Sequence, residues 1–297
     1  MQFDPNHLTA LSAVLRLGSF EAAAAQLCVT PSAISQRIKA LEDRIGAALI
    51  LRGAPCTGTP MGERLMKHAE DVGLLEAQLA RDLSLTQGAA PVRLRIAVNA
   101  DSLATWLLPA LAATPDLLFD LVIDDQDHSA DWLKRGEVSA AITASEVTAP
   151  GCDRVELGAL TYVATANPTF MARWFSDGVT RETLSKAPML TFDAKDMLQK
   201  RWLDSHFGAK LAPPSHFLPS SQGFIDAALA GLGWGMNPAA LVAPHIASGS
   251  LAPLLEDSEL ATPLCWQVTR VMAPALSRLT RAIKTTARKT LEQVPGA

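Results

Sequence analysis

The chain has 297 residues, 48% of them apolar and 19% charged, with a net charge of −4. That length exceeds one small core and calls for two or more domains. No run of about 18 uncharged apolar residues occurs, so no membrane-spanning helix is expected. The start, MQFDPNHLTALSAVL, holds an Asp and no basic n-region, unlike a signal peptide. The four cysteines (Cys28, Cys56, Cys152, Cys265) lie far apart, which disfavours a zinc site or disulfide framework and fits a reduced, cytoplasmic protein. Charge is unevenly placed. Residues 1–68 carry seven Lys/Arg and five Asp/Glu, and the remainder carries nineteen and twenty-five. A basic head on an acidic body suits a protein whose small N-terminal part meets phosphate.

In chain order, Asp4-Pro5 opens a helix that continues to Gly18, Pro being well placed at a first helical position. Ser19 caps a second helix, FEAAAAQLCV, with Phe20, Ala23, Ala24 and Leu27 on one face. Thr30 caps a third, begun by Pro31 and running to Gly46. At 100° per residue, Ile34, Ile38, Leu41 and Ile45 form its core stripe, while Ser32, Gln36 and Lys39 lie opposite, flanked by Ser35 and Arg37. The first two turns hold short donors, an amide and cations with no acid, the mix that contacts phosphates and base edges in a recognition helix. The bland alternative is a solvated helix of a small bundle. ALILRGAPCTGTP then reads as a hairpin-like wing with Arg52 as its cation.

From Met61 to about Leu85 a long helix is predicted, with Leu65, Val72 and Leu79 seven apart and Leu75 between, a seam suited to pairing with another helix. QGAAP, 87–91, reads as a linker. Strand-like and helix-like segments then alternate in two series, the signature of α/β lobes with a mostly parallel sheet, whose ligands sit at strand C-terminal ends. LSRLTRAIKTTARKTLEQ reads as a final helix.

LTALSAVLRLGSFEAAAAQLCVTPSAISQRIKALEDRIGAALILR resembles the N-terminal domain of LysR-type transcriptional regulators, through Ser-Phe-x-Ala-Ala, Pro-Ser-x-Ile-Ser and Ile-x-x-Leu-Glu. AVNADSLATWLLPALA, LKRGEV, GVTRETLSKAP, TFDAKDM and PSSQGF resemble the ArgP/LysG, or chromosome-initiation inhibitor, branch. The resemblance implies an N-terminal winged helix-turn-helix and long linker helix, then a two-lobed α/β effector domain like periplasmic binding proteins. Expected boundaries are 1–60 for the DNA-binding domain and 61–90 for the dimerisation helix and hinge. Lobe I would take 91–163 with 266–297, and lobe II 164–265. The branch also implies a regulator of basic amino-acid export or metabolism with arginine or lysine as effector and no other cofactor. Implied partners are a pseudo-palindromic double-stranded DNA site, a second copy of the chain (or a tetramer) and RNA polymerase, with no membrane and no metal. Gly53-Ala54-Pro55-Cys56 departs from the family's wing, lacking a second basic residue after Arg52.

For DNA, Ser32, Ser35, Gln36 and Lys39 are expected in the major groove, with Arg37 and Arg52 on phosphate. For the effector, a carboxylate is assigned to Ser102, Thr105 and nearby N–H groups where NADSLATW turns from strand to helix, or to Ser220 and Ser221. Cations are assigned to Asp101, Asp124, Asp125 and Asp193, which lie at strand ends, though Asp101 also suits a helix cap. Trp106 reads as a core residue or a stacking surface for a guanidinium. An enzyme is disfavoured because G-x-S-x-G, H-x-x-x-H and the phosphate-loop pattern are all missing. GLGWG, 231–235, follows a helix and reads as its termination. Rival readings are a regulator with another effector, and an amino-acid receptor without a DNA role.

Overall fold

The computed structural model describes residues 2–85, 91–208 and 211–293. Most of the expected linker 87–91 lies outside them. The head begins with α1 (Pro5–Leu17), α2 (Phe20–Gln26) and α3 (Pro31–Ile45), each started by a side-chain cap from Asp4, Ser19 or Thr30. Gly18 and Gly46 end α1 and α3 at φ 65° and 79°, where a β-carbon would be strained. α2 is shorter than the sequence suggested, because the chain turns at Cys28 with φ 52°. Leu11, Ile34, Ile38 and Leu41 meet in a fully buried core. The wing is the antiparallel pair β1 (Ile50–Leu51) and β2 (Thr57–Gly58).

α4 (Pro60–Asp82) leaves the wing as a 23-residue helix. Its apolar residues go three ways. Leu65 packs into the head core and Leu74 into the body core. Leu75, Leu79 and Leu83 stay exposed, at 40%, 58% and 59%. The heptad pattern therefore mixes intramolecular packing with an uncovered stripe.

The body starts with β3 (Val92–Val98), flanked in parallel by β4 (Leu117–Ile123) and β5 (Ala140–Thr143). Between β3 and β4 come α5 (Ala100–Ser102), a π-helical turn (Leu103–Leu107) and α6 (Leu108–Ala112). α7 (Ser129–Arg135) joins β4 to β5. β6 (Cys152–Ala166) crosses to the second lobe, made of α8 (Pro168–Trp174), α9 (Arg181–Lys186), β7 (Met189–Thr191), α10 (Leu198–Phe207), β8 (Ser215–Phe217), α11 (Ser221–Leu229), β9 (Gly235–Pro238), α12 (Ala239–Ala247) and β10 (Ala252–Pro253). β11 (Leu260–Thr269) crosses back, and α13 (Ser277–Thr290) packs Leu279, Ile283 and Ala287 against the first lobe.

The mostly parallel sheet expected from the alternating pattern is only partly present. β3–β4, β3–β5 and β7–β8 are parallel, but β6 pairs antiparallel with β9, β10 and β11, and β5 with β11. Two long strands traversing both lobes in opposite directions must pair this way. Their register shifts at Leu264/Cys265, where β11 begins to pair with β5. Trp106, Trp202, Trp234 and Trp266 are all buried in one core that spans the crossing strands.

Candidate ligand cleft and DNA-facing helix

Strand ends from both lobes converge on a narrow cleft. Asp124, Asp125 and Gln126 follow β4, Asn99 and Asp101 follow β3, Asn237 lies in β9, and Ser221 starts α11. Asp196 enters from the loop after β7. Four carboxylates thus line the cleft, and among the described residues no Lys or Arg does. Lys195 reaches it from the rim, its Nζ 3.3 Å from Asp124 Oδ1, and Arg201 pairs with Asp127 beside it.

The carboxylates are held differently. Asp101 accepts from Ser221 Oγ at 2.6 Å and Tyr162 Oη at 2.8 Å. Burial raises its pKa above the usual carboxylate value, against the pull of those two bonds. Burial and the neighbouring Asp196 charge push Asp125 up to about 6. Burial opposes ionisation of Asp124 too, but hydrogen bonds from Trp132 Nε1, the Asp125 N–H and Lys195 outweigh it and lower its pKa. Asp196 accepts from the Phe192 and Leu198 N–H groups. Asn99 Oδ1, Gln199 Oε1 and Asn237 Oδ1 are buried acceptors with no hydrogen-bond partner among the described residues. Acceptors and negative charge dominate, so the cleft is complementary to a donor-rich cation.

Several expected residues lie elsewhere. Ser102 is fully buried and accepts from Trp106 Nε1 at 3.1 Å, while Thr105 Oγ1 turns back to the Asp101 carbonyl at 2.6 Å. Neither lines the cleft, because the π turn directs both hydroxyls into the helix. Ser220 is spent capping α11. Asp193 caps the Lys195 and Asp196 N–H groups and faces a second hollow next to the cleft. Trp106 is a core residue, 1% exposed. Asn99 holds the N-cap position of α5, leaving the Asp101 side chain for Tyr162 and Ser221.

In the head, Ser32, Ser35, Gln36 and Lys39 are exposed along α3, with Arg37 half-buried. Ser32 Oγ lies 2.9 Å from the capping Thr30 Oγ1. Arg52 is exposed on the wing, its guanidinium 5.6 Å from the centre of the Phe20 ring. Residues 5–63 match the family described as bacterial regulatory helix-turn-helix protein, lysR family, and residues 88–288 match the LysR substrate binding domain. The chain belongs to the LysR family of transcriptional regulators.

This LysR-family chain is 41% identical over 286 residues to the transcriptional regulator LysG of Mycobacterium tuberculosis, covering 96% of this chain and 94% of that one. It is 43% identical to ArgP of Pseudomonas fluorescens, covering 94% of each. Among solved structures, ArgP from Mycobacterium tuberculosis matches 99% of this chain and all of that one, at 39% identity and a TM-score of 0.78. Full-length LysG from Corynebacterium glutamicum with bound effector Arg matches 98% of this chain and all of that one, at 34% and 0.65. These relatives are named as regulators of transcription, not enzymes. No helix among the described residues is long and apolar enough to cross a membrane.

For this LysR-family cleft, sequence reasoning missed Asp196, Asn99, Gln126, Gln199 and Asn237. Asp196 stands three residues past Asp193 in TFDAKD, and its backbone is turned inward by the cap Asp193 provides. The strand-end rule that selected Asp124 could also have selected Asn99 and Asn237, which end β3 and lie within β9.

Proposed function

We propose that this regulator senses a basic amino acid, arginine or lysine, and thereby controls genes of basic amino-acid export or metabolism. The carrying observation is the convergence of Asp101, Asp124, Asp125 and Asp196 on one cleft that no Lys or Arg among the described residues lines. A buried ligand cation needs such partners, because leaving it unpaired costs several kcal/mol. The arginine named with the Corynebacterium glutamicum LysG structure supports the same ligand class. Asp124, Asp125 and Asp196 take the cationic side chain. Asp101, held by the Ser221 hydroxyl, takes the α-ammonium, and the Ser221 N–H at the start of α11 answers the α-carboxylate.

On DNA, Ser32, Ser35, Gln36 and Lys39 read base edges in the major groove, while Arg37 and Arg52 hold phosphates. A single head offers few base contacts, each good bidentate pair giving roughly 1–3 kcal/mol of discrimination. Two heads linked through the uncovered Leu75, Leu79 and Leu83 stripe of α4 bind a pseudo-palindrome as a homodimer. The protein works in the cytoplasm, with RNA polymerase as the downstream partner.

The test is calorimetric titration of the full chain with arginine, lysine, ornithine and neutral and acidic amino acids. Binding confined to the basic set, and weakened by Asp125→Asn or Asp196→Asn, is expected. A folded protein that binds none of them overturns the effector assignment.

A further inference from the structure

One short element joins the cleft to the linker helix. The N-terminal end of α7 is tied to two cleft acids. The Asp125 carbonyl accepts from the Ser129 N–H and hydroxyl, each at 2.9 Å. One turn on, Trp132 Nε1 donates to Asp124 Oδ2 at 2.8 Å. At the far end the Arg135 guanidinium lies 4.6 Å from the centre of the Trp132 ring, and its Nε donates to Glu137 at 2.7 Å. The Glu137 N–H returns to the Trp132 carbonyl at 3.0 Å.

The chain then reaches α4. Ser139 Oγ donates to Asp71 Oδ1 at 3.0 Å, and Asp71 pairs with Lys67 at 2.6 Å on the same helix. Ser139 is buried and Asp71 partly exposed, so this bond is half-shielded from water. Next to that contact, a groove separates Arg64 and Lys67 of α4 from Trp132, Arg135 and Glu137. The bond comes from Ser139, four residues past α7, whose backbone is held by Arg95 and Thr269, while a groove and not close packing lies between α7 and α4 beside it, an arrangement that permits a second packing of α7.

We propose that α7 transmits ligand binding from the cleft to the linker helix, with Trp132 positioning Asp124 and Ser139 delivering the shift to Asp71. This rests on the basic amino-acid reading of the cleft. Asp124 divides its oxygens: Oδ1 serves Lys195 and the Asp125 N–H, and Oδ2 serves Trp132. A ligand cation that takes Oδ1 from Lys195 turns the carboxylate, and the indole N–H, a donor with no other partner among the described residues, follows it. α7 has seven residues, so its two ends move as one body. A small displacement at Asp71 is then levered along α4 to the head, whose wing adjoins the start of that helix.

The test uses the full chain, arginine, and a duplex selected from random sequence by the unaltered protein. Arginine affinity is measured by calorimetry, and DNA affinity with and without saturating arginine. The ratio of the two DNA affinities is the coupling, of a size that typically falls at roughly 5–150-fold. Ser139→Ala, far from the cleft, is expected to keep arginine affinity while bringing the ratio close to one. Trp132→Phe, which keeps the ring and removes the donor, is expected to weaken arginine binding and reduce the ratio together. A purely structural role for Ser139 would lower the thermal midpoint and leave the ratio intact, and that result overturns the proposal. So does an unaltered protein whose ratio is one although arginine binds. Should arginine not bind at all, the cleft reading fails separately, and ligand-free hydrogen exchange decides the link. Trp132→Phe must then change exchange at α4 residues 68–73, and unchanged exchange there refutes it.

Discussion

Lys195 Nζ sits 3.3 Å from Asp124 Oδ1, placing the chain's own ammonium on a cleft carboxylate. The two residues come from different lobes, Asp124 following β4 and Lys195 following β7. A ligand cation that uses Asp124 must displace this tethered one. Lys195 is about half exposed, so the pair belongs to the weak, screened class worth ~0.2–1 kcal/mol. Lys195→Met is therefore expected to tighten arginine binding by roughly 1.5- to 5-fold in calorimetry. Weaker binding would mean that Lys195 closes the lobes over the ligand instead of competing with it.

Asp196 provides a sharper test of the cleft, because sequence patterning did not single it out. Removing one partner of a buried charged hydrogen bond costs about 1.5–3 kcal/mol, so Asp196→Asn should weaken arginine binding roughly 10- to 150-fold. Asp193→Asn, whose side chain caps its own loop and does not line the cleft, should change it far less, and equal effects would contradict the geometry.

Ligand affinity should depend on pH with a defined sign. Asp125 has its pKa pushed up to about 6 by burial and by Asp196. A cationic ligand prefers the ionised carboxylate, so binding is strong above that value and weakens as pH falls through it. Titrations between pH 8 and pH 5 check this, and Asp125→Asn should flatten the profile.

Glu70 governs a second pH effect, on stability. It lies where the head, α4 and the body meet, near Arg16, Lys67, Arg93 and Asp120. Burial first, then Asp120, raises its pKa from 4.5 to about 7. The folded state therefore holds the proton more tightly than the unfolded chain. Its contribution to stability is complete below the unfolded value and is lost as pH rises through about 7. Glu70→Gln should remove this part of the decline in thermal midpoint between pH 5 and pH 8, and an unchanged slope would count against the assignment.

Gly62 tests the junction between wing and linker. A β-carbon there would collide with the Leu49 carbonyl, although the position is helical. Helix propensity favours Ala over Gly by about 1 kcal/mol, whereas overpacking against backbone costs about 1–3 kcal/mol. Gly62→Ala should therefore lower the thermal midpoint, and a rise would show that the wing yields easily.

Local physics made the head legible in the sequence. Ser19 and Thr30 read as caps and act as caps, the helix opened at Asp4-Pro5 begins there with Asp4 as its cap, and Ile34, Ile38 and Leu41 read as a core stripe and are buried. These features depend on neighbours within one or two turns, which sequence spacing encodes directly. The strand–helix alternation of the body was equally readable, and so was the convergence of Asp101, Asp124 and Asp125 on the cleft. The tertiary structure alone decided the rest. The direction of β6 and β11 follows from their crossing between lobes. The division of α4's leucines follows from which surfaces meet it. Asp101 and Ser221, 120 positions apart, share a 2.6 Å hydrogen bond, while Ser102 beside Asp101 points into a helix. Spacing specifies which face of an element a side chain occupies, but what lies opposite that face is fixed only when distant segments pack.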